Sequence, residues 1–393
     1  MRPVGHIRQR SCGSWELRYS IGRSSETGRR RVATVTVRGT RKDAERESRR
    51  LLRTQDTGEH VDPTRMTAAQ WLNQWLGLIR DSVSGKTYER YAELANNFLI
   101  PEFGQVRLSR LTPAQIQASY AKWSMEGRRD GKPGGLSPLT RRHIHRVLRS
   151  ALTRAVELQI IARNPSDPLR KTLPKVERRE MKTLSDDQTN SLLGILSDSR
   201  LYWPCLIAVA AGMRRGEILA LRWKHVDFDQ ETVRVVESLE QTKKTLRFKT
   251  PKTDRFRSIV LPSYAVRELK RLKKEQAEAL LALGVRQTGE TLVCGRADGE
   301  PHQPRSLTHE FAAFMASRKD LPRIRFHDLR HTHATQLLSA GVHPKVAQER
   351  LGHSTVTTTM DLYSHVMPTL QSEAAQRLDE AFQRAKTAAS TAT

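Results

Sequence analysis

A change of hydrophobic rhythm at two breaks sets the limits on how this chain can fold. Before residue 60, two runs of residues alternate apolar and polar, the period of a half-buried strand. From Thr67 the spacing becomes helical. Beyond residue 180 both rhythms occur. The breaks are Thr57 to Pro63, and Asn164-Pro165 to Arg179, which holds three prolines among many charges. A chain of 393 residues also exceeds what one hydrophobic core usually serves. The expectation is a multidomain protein divided at 1–60, 65–170 and 180–393.

In the first segment Trp15, Leu17 and Tyr19 alternate with Glu16 and Arg18, and Val32, Thr34 and Thr36 alternate with Ala33, Val35 and Val37. Both runs read as strands joined through the turn-forming SSETG. A helix from about Thr40 to Thr54 follows, so the expected fold is a small β-sheet plus helix. This segment carries 15 Lys and Arg against 7 Asp and Glu, a net of +8. It is too small for an enzyme, and a basic sheet with one helix suits DNA contact; the plainer reading is a solvated basic hairpin.

The second segment reads as all-α, a helical bundle. Ala68, Trp71, Leu72, Trp75, Leu76 and Ile79 share one helix face, and Tyr88, Tyr91, Leu94, Ala95 and Phe98 share another, ended by Pro101. Thr112-Pro113 starts a third helix with Ile116, Tyr120 and Trp123 inward. After the loop RRDGKPGGLSP, Ser137 or Thr140 caps a fourth carrying Ile144, Val147, Leu148, Leu152 and Val156. Aromatic residues at this spacing are core. Lys86, Arg90, Arg141, Arg142, Arg146 and Arg149 are candidates for phosphate contact, though each alone reads as a solvated charge.

The third segment is mainly α with a small antiparallel sheet. A capped helix at Ser185-Asp186-Asp187 and a buried helix from Leu201 precede the strands Thr232–Val236, Thr245–Phe248 and Arg257–Leu261. Helices at 263–283 and 306–318 follow, with a last one at 369–386. Between them, Ile324 to Tyr363 concentrates His327, Arg330, His331, His353 and Tyr363. At 100° per residue, His327, Arg330 and His331 share one face, and Leu329, His333, Leu337 and Ala340 gather on another, the buried one. Gly341 suits a C-cap, Pro344 the first turn of a second helix, and Gly352 its end. Ser354 or Thr355 then caps a third helix carrying Tyr363.

Composition enters through charge. The formal net charge of +26 predicts a polyanionic partner, nucleic acid before an anionic membrane surface. No apolar run approaches a membrane span and no signal peptide is seen. Cys12, Cys205 and Cys294, odd in number and far apart, suit a reducing cytoplasm and neither a disulfide frame nor a zinc module.

A phenol, cations and imidazoles without a carboxylate cluster imply chemistry on an anion, with no metal or nucleotide cofactor. A metal-assisted nuclease would gather Asp or Glu for Mg²⁺. Fixed guanidinium groups can instead stabilise the charge that builds on a phosphodiester under attack. A side-chain nucleophile that keeps the phosphate in a covalent bond allows rejoining without ATP. Tyr363 fits that role, and a lysine on a hairpin could supply the proton for the departing sugar oxygen. Against this, His327 and His331 stand four apart, as zinc-binding histidines do; Asp328 is short for that role and Arg330 would set a cation beside the metal.

Gly212-Met213-Arg214-Arg215-Gly216-Glu217, Pro251-Lys252-Thr253, His327-Asp328-Leu329-Arg330, Leu351-Gly352-His353 and Tyr363 together resemble the tyrosine recombinase (phage integrase) family, in residue type and in order. The resemblance covers the whole chain and implies an arm-type DNA-binding domain at 1–60, a core-binding helical domain at 65–170 and a catalytic domain at 180–393. It implies Tyr363 as nucleophile, Arg214 and Arg330 on the scissile phosphate, and His327 at the attacking oxygen. His353 would hydrogen-bond the phosphate and Lys252 would be the general acid, with Lys249 as runner-up. Glu217 would orient the arginine turn.

The function so implied is site-specific recombination of a phage or mobile element through a Holliday junction. The partners would be double-stranded DNA at core and arm sites, three further protomers in a homotetramer, and accessory DNA-bending or directionality factors. The setting would be the cytoplasm, at the nucleoid. A type IB topoisomerase and a non-catalytic DNA-binding protein are the rivals from other classes. The helix at 369–386, with Leu370, Ala374, Leu378 and Phe382, would dock on a neighbouring protomer or on its own domain.

Overall fold

The computed structural model describes residues 6–23, 30–56, 64–177, 181–250 and 256–353, with isolated positions between 355 and 383. The chain falls into two compact units, residues 1–177 and 178–393. Helices predominate, and the sheets are small and antiparallel.

In the first unit, β1 (His6–Ser11), β2 (Ser14–Arg23) and β3 (Arg30–Arg38) form an antiparallel sheet in that order. Its register sets Leu17 opposite Val35 and Tyr19 opposite Ala33. Leu17, Tyr19 and Ala44 of α1 (Arg41–Asp56) are buried, so the helix covers one face of the sheet. Thr40 caps α1: its hydroxyl accepts from the Asp43 N–H at 3.3 Å, and the Asp43 carboxylate accepts from the Thr40 N–H at 2.9 Å. The sequence HIRQRS has no alternation of its own, and β1 was not expected. It is an exposed edge strand that completes the pairing of β2. The SSETG turn lies outside the described residues.

The helical part contains α2 (Ala68–Ile79), α3 (Gly85–Leu94), α4 (Ile100–Phe103), α5 (Pro113–Met125) and α6 (Pro138–Glu157). Thr67, Ser84, Thr112 and Ser137 each accept from a backbone N–H three residues on. The core holds Trp71, Trp75, Ile116, Trp123, Ile144 and Leu148, with the Trp71 indole donating to the Ala151 carbonyl at 2.9 Å. Pro101 does not end the second helix as expected. A π-helical turn, Ala95–Leu99, widens the spiral, and α4 resumes with the proline in its first turn, where no N–H is required.

The second unit runs α7 (Asp186–Ile195), α8 (Tyr202–Ala211), α9 (Arg215–Ala220), β4 (Val226–Asp227), β5 (Thr232–Val235), β6 (Ser238–Gln241), β7 (Leu246–Lys249), β8 (Arg257–Val260), α10 (Ser263–Ala282), α11 (Pro304–Ser317), α12 (Asp328–Ser339) and α13 (Pro344–Leu351). The strands pair as β4-β5-β8 and as the hairpin β6-β7. The strand β6, SLEQ, was not expected: its two central residues, Leu239 and Glu240, are both buried, so it shows no alternation. One large apolar cluster, including Leu206, Ile218, Val233, Ile259, Phe311 and Leu329, fills the unit, and α12 and α13 share a smaller one of Ala334, Leu338, Ala347 and Leu351. Among the described residues no helix is long and apolar enough to cross a membrane. The expected helix bearing Tyr363, and most of that at 369–386, lie outside the described residues.

Candidate active site

The site is assembled on the C-terminal end of α13. An ending helix leaves its last carbonyls without intrahelical partners, and its dipole places partial negative charge there. Here three successive carbonyls each take a guanidinium. Arg350 O accepts from Arg257 Nε at 3.0 Å, Leu351 O from Arg330 Nη2 at 2.5 Å, and Gly352 O from Arg214 Nη2 at 2.8 Å. Gly352 is the C-cap in the left-handed conformation, φ 64°, and a Cβ there would stand 3.1–3.2 Å from the Arg257 guanidinium. The glycine of Leu-Gly-His therefore both turns the chain and admits an arginine.

Arg214 and Arg330, far apart in sequence, are thus brought to neighbouring carbonyls. Arg330 is 3% exposed and also donates Nη1 to the Gly212 carbonyl at 2.6 Å. Burial, and then the nearby Arg214 cation, pull its pKa down to about 9, which leaves it charged at neutral pH. Arg330 thus does not lie on the offered face that helical spacing assigned to it; it is buried along with Leu329 and His333, because carbonyls of two other segments are available to it. Ala340, assigned to the core, is exposed.

Arg214 is the more accessible cation, its side chain 35% exposed. It precedes α9, and Glu217 one turn on holds it twice, accepting from its N–H at 2.9 Å and from its Nη1 at 2.8 Å. Glu217 in turn accepts from Arg257 at 3.1 and 2.6 Å. Burial alone would raise the Glu217 pKa, but the bonds to Arg257 and the charges of Arg257 and Arg214 outweigh it and hold the carboxyl at about 2. Arg215 turns elsewhere, donating to the Thr308 hydroxyl of α11.

Three histidines are held neutral. His327 and His331 meet edge to face, ring centroids 5.0 Å apart. Surrounding protein, then His331 and Arg330, pull His327 down to about 4; burial, then Arg330 and Arg214, do the same to His353. His333 is buried, as expected of a core histidine. Its Nδ1–H donates to the Val209 carbonyl at 2.7 Å, and its Nε2 accepts from Arg350 Nε at 3.1 Å, which defines one tautomer. Asp328 is occupied by Arg325, accepting from its backbone N–H at 2.7 Å and its guanidinium at 3.0 and 2.7 Å.

Lys249, at the end of β7, is paired with the buried Glu240 of β6, which also holds Arg247, its opposite in the register, at 2.7 Å. Lys252 and Tyr363 lie outside the described residues. Two participants escaped the reading of the sequence. In the sequence Arg257 reads only as a strand residue, yet it shares the inward face of β8 with Ile259, and a cation at an inward position is the available signal. Arg350, which fixes His333 and donates to the Ala210 carbonyl at 3.0 Å, carried no signal.

With this geometry in hand, comparison with known proteins is direct. Residues 182–369 match the phage integrase family, and residues 67–124 match the phage integrase N-terminal SAM-like domain. The ICEBs1 integrase of Bacillus subtilis is 28% identical over 378 residues, 95% of this chain and 99% of that protein. Among solved structures, the Tn1549 transposon integrase in complex with a circular intermediate DNA superposes with a TM-score of 0.62 over 76% of this chain and 94% of its own, at 20% identity. A lambda integrase tetramer bound to a Holliday junction gives 0.53 over 91% and 94%, at 18% identity. The chain is a member of the phage integrase family, the tyrosine recombinases.

Proposed function

We propose that this chain recombines DNA at specific sites of a phage or mobile element, with Tyr363 as nucleophile and Arg214, Arg330, His327, His353 and Lys252 as its catalytic partners. The Tyr363 phenol gives its proton to His327 as its oxygen attacks the scissile phosphorus, a 3′-phosphotyrosyl bond forms, and the bond to the 5′-oxygen breaks. Lys252 delivers a proton to that oxygen, so a 5′-hydroxyl leaves. The reverse step with a partner strand rejoins the backbone, and two rounds pass through a Holliday junction.

The observation that carries this reading is the anchoring of two guanidiniums on adjacent carbonyls of one helix end. Each makes two bonds to the protein, and further N–H donors remain for an anion. Groups held this firmly need no reorganisation when charge builds on the phosphate. His327 and His353, kept neutral first by burial and then by nearby positive charge, are suited to take up or share a proton once a phosphate offsets that charge. The pairing of Lys249 with Glu240 favours Lys252 as the acid.

The same reading assigns residues 1–60 to arm-type sites and 65–170 to the core site, with the active assembly a homotetramer aided by DNA-bending or directionality factors. It sets the protein at the bacterial nucleoid. The test is a plasmid pair with and without two cognate sites. Exchange confined to the paired-site plasmid, abolished by Tyr363→Phe while DNA binding persists, is the expected outcome. Relaxation of any supercoiled plasmid would point to a topoisomerase, and full function of Tyr363→Phe to a non-catalytic binder.

A further inference from the structure

We propose that Arg257 is a positioning residue for strand cleavage: by bridging Glu217 and the C-terminal end of α13, it fixes Arg214 against the phosphate. The inference rests on the recombinase reading above.

Arg257 is the first residue of β8, five positions after Lys252 in the sequence. Its guanidinium divides between two partners. Nη1 and Nη2 clasp the two oxygens of Glu217, and Nε donates to Arg350 O. Its side chain is only 10% exposed and that of Glu217 only 2%, so this is a paired charge shielded from water, where removal of one partner leaves the other uncompensated. Glu217 uses the same two oxygens to hold Arg214. Arg257 also lies so close beside Gly352, whose carbonyl is the other anchor of Arg214, that a Cβ there would meet it at 3.1–3.2 Å. Both bonds that orient the Arg214 guanidinium thus run through groups that Arg257 touches, while Arg257 itself is turned to the protein on every arm.

Loss of Arg257 therefore acts on chemistry through Arg214, and the effect depends on the charge that Arg214 must stabilise. The test uses nicked cognate DNA that traps the covalent adduct, with either a normal scissile phosphate or a methylphosphonate, in which a methyl group replaces a charged oxygen. For Arg257→Met we expect cognate DNA binding within about 3-fold of wild type and adduct formation on the phosphate slowed about 100-fold, the scale of losing one fixed donor at a developing charge. On the methylphosphonate the deficit should shrink to roughly 10-fold or less, because less charge has to be met. Arg257→Lys, which keeps the cation but cannot clasp two oxygens and a carbonyl together, should fall between the two. Adding Glu217→Gln to Arg257→Met should cost little more, as expected of residues acting in one chain.

Equal deficits on both substrates, or an Arg257→Met rate equal to wild type, would overturn the proposal while leaving the recombinase reading intact. Strictly multiplicative losses for the Arg257→Met and Glu217→Gln pair would overturn it too. Absence of any wild-type adduct would instead remove the recombinase reading on which it rests. A folded state that survives in Arg257→Lys but not in Arg257→Met moves the same comparison of substrates to the lysine variant.

Discussion

A backbone carbonyl exposed to water holds a guanidinium weakly, yet three such carbonyls hold the arginines of this site. What changes their worth is burial: Arg330 is 3% exposed and the Arg257 side chain 10%, so their bonds form where water competes little, and the more open Arg214 is held as well by the buried Glu217. Small residues make that closeness possible. Gly212, in the left-handed conformation at φ 63°, sits where a Cβ would come 2.4 Å from His333 Cδ2 and 2.9 Å from a Leu351 methyl. Gly212→Ala should therefore lower stability by roughly 2–3 kcal/mol, read from the midpoint of chemical denaturation, since strain and overpacking add. His333 carries a pH dependence of known sign. Its pKa in the folded chain is about 4 against an ordinary 6.5, so between those values the unfolded chain binds the extra proton. Its contribution is full above pH 6.5 and declines as pH falls toward 4, by up to roughly 3 kcal/mol, with His327 and His353 acting in the same direction. Denaturation at pH 7 and pH 4.5 should show the loss; equal midpoints would contradict it.

At the scale of elements, the strongly periodic segments could be read directly from the residues, and the exceptions have physical causes. The capped helices of the bundle and α10, with its apolar spacing, follow from local pattern, and so do β5, β7 and β8. β1 is recruited by a neighbour's free edge, and the π-helical turn before Pro101 arises from a conflict between a proline and a helix that the core requires. The site was legible as a set of residues but not as a frame: Arg214, Arg330, His327 and His353 stood out, whereas Arg257 and Arg350 gain meaning only once α13 ends beside β8. The β6-β7 hairpin yields a separate prediction. Because Lys249 is paired with Glu240, Lys249→Met should weaken the hairpin yet cleave within about 5-fold of wild type. Lys252→Met should cleave more than 100-fold slower, and a 5′-thiolate leaving group, which needs no proton, should restore most of the rate. Similar losses for both lysines would contradict the assignment.

Over the whole molecule, the excess of 68 Lys and Arg over 42 Asp and Glu favours a polyanion before any specific contact is made. Binding to non-cognate duplex should weaken steeply with salt, and removal of residues 1–60, which carry a net of +8, should reduce the slope of log affinity against log salt. An unchanged slope would mean that the sheet unit does not meet phosphates. Family membership gives the molecule its chemistry, and the helix end gives two of its arginines a common address. The claim on which the account turns is that the phosphate they grip is attacked by Tyr363. Its most direct measurement is the mass spectrum of peptides from an adduct trapped on nicked cognate DNA. The account predicts one modified peptide, carrying a 3′-phosphonucleotide on Tyr363, and no adduct from Tyr363→Phe. A nucleotide on any other residue, or an undiminished adduct from that variant, would contradict it.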